Sequence, residues 1–376
     1  MSNKKSLWNL GFVDEGTIVL RELGLEGMIA PVPESECAIL SLVPGVNGKV
    51  YGLTCGARSH LFVYNNFPVE DGVLRLGIIA ENISGGSLIC TNQDVIYGVV
   101  YGETPEHGIH SVMFKHDGDN DNISGEQSLH HGKPIEIPCP FAGKKLSNLV
   151  IDRESNTIFG ITFPDHMFFA YEVETGRFRE IGHLGEGVVS KAICLADGPT
   201  VYGVGNDGVV FRFLPAKNCI EKTGMVIPCG KSKDYVNEAT ALAYDADRHV
   251  IYGGTLLDGY LFKIKLDSEK VICLGRPIEQ RPIRCLALGH DGKLFGIAGE
   301  PKSGICHLFR YDPESGDLRD LGIPRSTITK SWVAHEIDAM CVDRNGHVIM
   351  GENDRMAHLL VYYPPVEKRQ EPSKPF

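Results

Sequence analysis

The fold is decided by a stretch in the second half of the chain that is followed by another copy of itself. Residues 239–275 read ATALAYDADRHVIYGGTLLDGYLFKIKLDSEKVICLG, and residues 283–322 read IRCLALGHDGKLFGIAGEPKSGICHLFRYDPESGDLRDLG. Each copy has an apolar run, a turn, an aromatic-Gly step, a second loop, an alternating segment and a final segment ending in Leu-Gly. Four strand-like segments separated by turn residues indicate one repeated β unit.

The same pattern returns along most of the chain. Its aromatic-Gly step occurs at Tyr51-Gly52, Tyr97-Gly98, Phe159-Gly160, Tyr202-Gly203, Tyr252-Gly253 and Phe295-Gly296, with Met350-Gly351 as a degenerate seventh copy. A unit of about 40–50 residues with four strands is typical of a propeller blade. The sequence therefore predicts an all-β, seven-bladed β-propeller with four-stranded antiparallel blades, labelled A to D outward from the axis, in a single domain spanning residues 1–376.

The two ends of the repeat array are expected to complete one blade. The last copy stops at Leu359-Leu360-Val361-Tyr362 without a strand D, whereas residues 17–24, TIVLRELG, resemble the strand D sequence DLRDLG. An open ring would leave two sheet edges unpaired. We therefore predict that residues 17–24 form the outer strand of the last blade and that residues 366–376 form a mobile tail.

Composition excludes several classes of function. The formal net charge of -11 argues against a nucleic-acid surface, which needs a basic face. No apolar stretch has the length of a signal-peptide core or a membrane span. Eleven cysteines without a C-x-x-C pair suggest free thiols in a reducing compartment. We expect a cytoplasmic protein with no membrane or nucleic-acid partner, or a secreted one if a signal peptide has been removed; the oligomeric state stays open.

The first residue of strand C lies just after the B–C loop, on the face where propellers usually carry function. The aligned residues are His60, Val112, Met167, Val209, Tyr260, His307 and His358. The three histidines come from blades 1, 6 and 7, which are neighbours in a closed ring. They could cooperate in proton transfer, or they could be repeated packing residues beneath the loops.

Other polar residues are expected around the same face. The long connection PRSTITKSWVAHEID carries Trp332 and His335. A tryptophan beside a histidine can stack on a sugar ring, or it can pack on the strands beneath its loop. Basic residues there would favour a carboxylated ligand. The candidates for substrate binding are Arg58, Arg355, Lys302, Arg284 and Lys191, together with Trp332 and His335, and the candidates for a second proton donor are Tyr101 and Tyr235.

A cofactor cannot be assigned from these residues. Three histidines and a carboxylate could hold a divalent metal, although the spacing gives no local motif. The segment DGDNDNISGEQS, residues 117–128, begins like a calcium loop, but Asn122 and Ser128 replace its glycine and its closing glutamate, which favours a polar hairpin tip. Motifs for nucleotide binding or a serine nucleophile are absent from the sequence.

The segments YGLTCGARSHLFVY and FGIAGEPKSGICHLFRYDPESG resemble the repeats of bacterial seven-bladed propellers that degrade carbohydrates. These include polysaccharide lyases and rhamnosidases that act on rhamnose–glucuronate linkages. The resemblance implies a histidine on a propeller face, here His60, that works with basic residues holding a uronate carboxylate. It also implies an acidic oligosaccharide, or another small ligand at the propeller face, as the partner.

Two classes of function follow. One is an enzyme that cleaves a glycosidic bond next to a uronic acid, by β-elimination or by hydrolysis. In that case His60, His358 or His307 would act as base or acid, and Arg58 or Arg355 would neutralise the carboxylate. The other is a non-catalytic propeller that binds a protein or glycan. The enzyme requires histidines and arginines that converge in a concave mouth, whereas the binding protein requires histidines packed beneath the loops and an exposed apolar rim.

Overall fold

The computed structural model describes residues 11–23, 32–46, 48–65, 72–106, 108–118, 133–184, 190–230, 237–300, 305–328, 330–354 and 356–365. Their strands form eight antiparallel sheets, of which seven are the blades of a β-propeller and the eighth is a two-stranded hairpin. The predicted fold class is confirmed. The described residues contain two 3₁₀ turns, Glu34–Glu36 and Pro215–Lys217, and none of their helices is long and apolar enough to cross a membrane.

The strands of blades 1 to 4 follow one another in the sequence. Blade 1 consists of Ala38–Pro44, Val50–Asn65 and Gly72–Ile83, where the long middle segment pairs with strand A through its first part and with strand D through its last part. Blade 2 consists of Gly85–Cys90, Val95–Thr104, Gly108–Asp117 and Ile135–Ile137. Blade 3 consists of Lys145–Asp152, Thr157–Phe163, Met167–Glu172 and Arg177–His183. Blade 4 consists of Ile193–Ala196, Thr200–Val204, Val209–Leu214 and Cys219–Val226.

Blades 5 and 6 follow the same order, and blade 7 combines both ends of the array. Blade 5 has Ala239–Asp245, Val250–Thr255, Leu261–Lys265 and Lys270–Gly275, and blade 6 has Ile283–Leu288, Leu294–Gly299, Cys306–Tyr311 and Leu318–Gly322. A short hairpin, Arg325–Ser326 with Trp332–Val333, leads into blade 7. Blade 7 has Ile337–Val342, Val348–Glu352, His358–Tyr363 and, as its outer strand, Thr17–Glu22.

The ring is closed as the sequence predicted. Thr17–Glu22 runs antiparallel to His358–Tyr363, with Thr17 opposite Tyr363 and Glu22 opposite His358. The closing strand is two residues shorter than predicted, and position 24 lies outside the described residues, as does the expected tail, residues 366–376. Just before the strand, Val13 N donates to the carbonyl oxygen of Ile323 at 3.0 Å. The segment before blade 1 is thus attached to both blade 6 and blade 7.

The apolar core lies between the blades. Buried side chains form seven clusters, and each cluster joins one blade to the next around the ring, including the 6–7 and 7–1 interfaces. Strand B is therefore apolar on both faces: all six residues of Val250–Thr255 and of Leu294–Gly299 are buried. Strand D has one free edge and is largely exposed, as in Lys270–Gly275.

The aromatic-Gly step has a steric explanation. In blades 2 to 6 the glycine of strand B is paired with a phenylalanine of strand C, for example Gly253 with Phe262 and Gly296 with Phe309. A β-carbon built on any of these glycines, or on Gly52 beside Phe62, would overlap the phenylalanine ring. The glycine is required because the ring lies directly across the backbone of strand B.

We expect Gly253→Ala to destabilise the protein by about 1–3 kcal/mol, the usual cost of overpacking a filled core. The added methyl group must displace the Phe262 ring, which is buried at the interface of blades 4 and 5. Urea unfolding would measure the change, with Gly224→Ala as the control, because a β-carbon at Gly224 meets no atom within 4 Å. Equal stability of the two variants would contradict the steric explanation.

Candidate functional site

The face formed by the B–C turns and the D-to-A connections, called the loop face below, carries the predicted site residues. His358 begins strand C of blade 7 and His307 is the second residue of strand C of blade 6, whereas His60 lies inside the continuous strand Val50–Asn65. Their side chains are not open to ligand, however. His60 and His358 are buried, and the side chain of His307 is mostly covered. The expectation that they line an open face is therefore not met.

His358 lies between two carboxylates. Its Nδ1 is 2.9 Å from Oε2 of Glu352, and its Nε2 is 3.2 Å from Oε2 of Glu22, the last residue of the closing strand. A carboxylate only accepts hydrogen bonds, so both contacts are satisfied when both ring nitrogens carry hydrogen. The indole of Trp332 covers the imidazole, with the ring centres 4.3 Å apart. His358 thus joins strand B, strand D and the hairpin that precedes blade 7.

Glu352 is the centre of this cluster and is fully buried. Its Oε1 accepts hydrogen bonds from Trp332 Nε1 at 2.9 Å and from His335 N at 3.1 Å. Its Oε2 accepts from His358 N at 3.0 Å as well as from the imidazole. A buried carboxylate is tolerated only when it is paired and hydrogen-bonded, and Glu352 meets both conditions. Its position indicates a structural role.

His60 makes a similar contact in blade 1. Its Nε2 lies 2.6 Å from Oε2 of Glu36, and Arg58 Nε donates to Oε1 of the same carboxylate at 2.8 Å. Burial lowers the pKa of His60, although Glu36 opposes this shift. Burial alone would raise the pKa of Glu36, but hydrogen bonds from Arg58 and His60 and their charges bring it below its ordinary value. Arg58, predicted to bind substrate, instead pairs with Glu36.

The two clusters hold the two ends of the connection that joins the closing strand to blade 1. Glu22 ends the closing strand and contacts His358, while Glu36 lies in the 3₁₀ turn before blade 1 and contacts His60. Lys330 adds a further ion pair to Glu22, at 3.4 Å. The histidine repeat in blades 7 and 1 therefore fastens the ring closure. We call these two His–Glu contacts the closure clamps.

The other predicted proton-transfer residues lie apart from the clamps. His307 Nδ1 contacts Asp320 of the same blade, 3.1 Å from each carboxylate oxygen. Tyr101 lies in blade 2, where burial raises its pKa although nearby Lys145 opposes this shift. Tyr235 lies outside the described residues. No contact joins His307 or Tyr101 to His60 or His358 among the described residues.

The basic residues around the mouth of the channel are paired with acids. Arg284 Nε donates to Asp338 Oδ1 at 2.6 Å, and its Nη2 lies 3.2 Å from Glu336 Oε1, which links blades 6 and 7. Lys191 contacts Glu238 at 2.6 Å. The remaining pairs are Lys144 with Asp165, Lys145 with Glu103 and Arg281 with Glu300. Among the described residues, these five cations are thus matched by six carboxylates, so they do not form a patch of excess positive charge.

Two of the predicted residues lie together at the blade 7 corner. His335 is exposed beside Trp332, whose ring centre lies 6.2 Å from that of His335. Trp332 is half-buried, and it packs against the core between blades 6 and 7. Burial, followed by repulsion from Glu352, raises the pKa of Asp354 in the adjacent B–C loop. This corner therefore joins an exposed imidazole to a carboxyl group that binds its proton more tightly than usual.

Several predicted residues cannot be placed. Arg355, Lys302 and most of the calcium-like segment 117–128 lie outside the described residues. Within the described ranges, no group of three or more His, Cys, Asp or Glu side chains is arranged to hold a metal ion. The divalent metal that the sequence left open thus has no ligand set in this part of the chain.

The carboxylates of the clamps were the main features that sequence reasoning missed. Glu22 and Glu36 were not selected, because neither stands beside a histidine in the sequence. One signal was available at blade 7: Glu352 takes the place of an apolar residue at the end of strand B, where blades 1 and 6 have Leu53 and Ile297. An acid at a position that the repeat buries predicts a specific partner.

Comparison with known proteins supports the fold. No family model and no curated protein matches the sequence. A virginiamycin B lyase from Staphylococcus aureus superposes with a TM-score of 0.65 at 11% identity, over 93% of this chain and 100% of the lyase. A catalytically inactive histidine-to-alanine variant of that lyase with quinupristin gives 0.63 at 10% identity, over 92% and 99% of the two chains.

A WD40-repeat structure is also similar, with a slightly lower TM-score. The WD40 repeats of RRP9 give a TM-score of 0.59 at 10% identity, over 93% of this chain and 99% of that chain. These structures are a virginiamycin B lyase and WD40 repeats, rather than the polysaccharide lyases or rhamnosidases that the repeat motif resembles. At such low identity the likeness supports the propeller fold and leaves the carbohydrate activity unsupported.

We expect Glu352→Ala to lower the free energy of unfolding by about 3–5 kcal/mol, because the change leaves buried donors without an acceptor. The donors are Trp332 Nε1 and two backbone amides. Urea unfolding would measure the effect. The control is Glu314→Ala, which removes an exposed ion pair with Arg248 and should cost about 0–1 kcal/mol. Similar losses in both variants would contradict a central role for Glu352.

The clamp in blade 1 predicts a pH dependence. Because the folded protein lowers the pKa of His60 below its ordinary value of 6.5, the contribution of His60 is complete above that pH and is lost as the pH falls through the folded value. The stability difference between the wild type and His60→Gln should therefore shrink from pH 7.5 to pH 5. Urea unfolding at several pH values tests this, with exposed His335→Gln as control. A difference that is constant or grows in acid would contradict the clamp.

Proposed function

We propose that this chain is a non-catalytic binding propeller whose loop face docks a protein partner. The burial of His60 and His358 against carboxylates carries the proposal. An enzyme with these bases would need at least one imidazole nitrogen that reaches a substrate. In His358 both ring nitrogens face carboxylates, and in His60 the Nε2 faces Glu36 while the whole side chain is buried.

Electrostatics support the same proposal. A uronate ligand needs a cation that is not already neutralised, because its carboxylate must replace solvent around that cation. Arg58 and Arg284 already contact Glu36 and Asp338, and Lys191 contacts Glu238. An acidic ligand would have to displace these carboxylates. Because the cations are already paired, this face favours a partner whose binding does not depend on excess positive charge.

The exposed apolar residues give the partner a place to bind. Ile328 and Val333 in the hairpin before blade 7 are 61% and 37% exposed, and Met356 in the B–C loop of blade 7 is 46% exposed. All three belong to the connections that precede strand A and join strands B and C of blade 7 on the loop face. Large apolar side chains grouped on one rim are characteristic of protein-binding surfaces, in which aromatic residues and methionine are enriched.

A second candidate is a lyase, and the specific observation in its favour is the similarity in fold to a virginiamycin B lyase. In this hypothesis the chain cleaves a glycosidic bond next to a uronic acid by β-elimination, or else by hydrolysis. His335 and Asp354, at the open corner, offer an accessible imidazole and a carboxyl group with a raised pKa, which are better placed for proton transfer than the buried histidines. Arg284 would have to exchange its acidic partners for the substrate.

One set of variants separates the two hypotheses. The triple variant Ile328→Ser, Val333→Ser, Met356→Ser should lose a partner that the wild type captures from a lysate of the source cells, as identified by mass spectrometry. The control is Ile135→Ser, Val226→Ser, which changes two residues of similar exposure, 59% and 54%, on outer strands. Capture that is equal in all three proteins would contradict docking at the blade 7 corner.

The same proteins are incubated with glucuronate and galacturonate oligosaccharides and with quinupristin, with and without Mg²⁺. We expect no absorbance near 235 nm from an unsaturated uronate, no new reducing ends, and no change of quinupristin by mass spectrometry. A product that is lost in His335→Ala, and retained in the triple serine variant, would overturn the proposal in favour of the lyase.

A further inference from the structure

A second feature of the loop face lies in blade 5, away from the closure clamps. Leu261 is paired with Gly275, so Tyr260 and Arg276 occupy the next position at the ends of strands C and D. In blade 7 the corresponding position holds His358 opposite Glu22, where the charges are paired. In blade 5 the same position holds a cation and a phenol.

The Tyr260–Arg276 pair has a defined geometry. The guanidinium carbon of Arg276 lies 4.1 Å from the centre of the Tyr260 ring, and Nη2 donates to the tyrosine hydroxyl at 2.6 Å. The backbone of Tyr260 is held by a hydrogen bond from its N to Thr255 Oγ1 at 2.9 Å. Stacking and this hydrogen bond restrict the guanidinium before any ligand arrives, which lowers the entropic cost of binding.

The pair has donors in excess of acceptors. No carboxylate among the described residues lies within ion-pair distance of Arg276, in contrast to the five paired cations at the channel mouth. The Nε of Arg276 is buried and has no hydrogen-bond partner among the described residues. Because the Tyr260 hydroxyl accepts from Arg276, its own hydrogen is available for another acceptor. This hydrogen and the outer N–H groups of the guanidinium require an acceptor from solvent or from a ligand.

We propose that Arg276 and Tyr260 form an oxyanion-binding site, which takes the carboxylate, phosphate or sulfate group of a small ligand. These groups share the required chemistry, since each presents two or more acceptor oxygens and a negative charge to a planar fork of N–H donors. The site does not depend on docking at the blade 7 corner, because it lies in a different blade and uses none of the same residues.

The test follows the side-chain Nε–H signal of Arg276 by NMR in the full chain. The protein is titrated separately with sodium glucuronate, sodium sulfate and sodium phosphate at an ionic strength held constant with sodium chloride. We expect a saturable shift with at least one probe, at a dissociation constant of about 1–10 mM, as for a single charged contact. The probe that gives the tightest binding identifies the class of oxyanion.

Two variants and one internal control complete the experiment. Arg276→Gln assigns the signal and should abolish binding as measured by calorimetry, whereas Tyr260→Phe keeps the ring and should weaken binding by about 3- to 10-fold, the value of one hydrogen bond. Arg325 is the matched control, because its guanidinium stacks on Phe12 at 4.7 Å without a hydroxyl. The absence of a saturable shift with all three probes, or an equal shift at Arg325, would overturn the proposal.

Discussion

The structure depends on a phenylalanine ring that lies across a glycine. In six blades the ring of strand C covers the glycine of strand B, and each of these rings belongs to the apolar cluster between its own blade and the preceding one. Without a β-carbon beneath it, the ring fills the space above its own sheet and still presents its outer face to the neighbouring blade. Blade 7 differs, because its Gly351 accommodates Ile39 of blade 1 instead.

The ring closure adds polar contacts to the apolar clusters at its two interfaces. The closing strand is attached through Glu22 to His358, and the segment that follows it through Glu36 to His60. Before the strand, Glu15 contacts Arg310 at 3.2 Å and Arg319 at 3.0 Å in blade 6. Contacts between charged or hydrogen-bonding side chains have defined partners and directions, so they fix the register of a strand that arrives from a distant part of the sequence.

The sequence was sufficient for the fold and insufficient for the roles of the histidines. The aromatic-Gly step is visible because a steric need at one position recurs in every blade, and the missing last strand follows from counting strands. The first residue of strand C is equally visible as a repeated position, and His358 occupies that position in blade 7.

The sequence does not show which way those side chains point, or that acids from residues 22, 36 and 352 meet them. Such contacts bring together residues that are far apart in the sequence, and no local pattern encodes them. Arg284 and Lys191 illustrate the same limit, because the acid that pairs with each of them comes from the adjacent blade. Charges on the loop face can be judged only after the blades are assembled.

The pairing of residues 17–22 with residues 358–363 also sets an order of events during synthesis. The closing strand leaves the ribosome roughly 340 residues before the strand that it pairs with, which at about 5–20 residues per second corresponds to roughly 20–70 s. During that interval its apolar residues Ile18 and Leu20, buried in the finished ring, have no partner. The nascent protein must therefore keep an unpaired β-strand from aggregating until blade 7 has been translated.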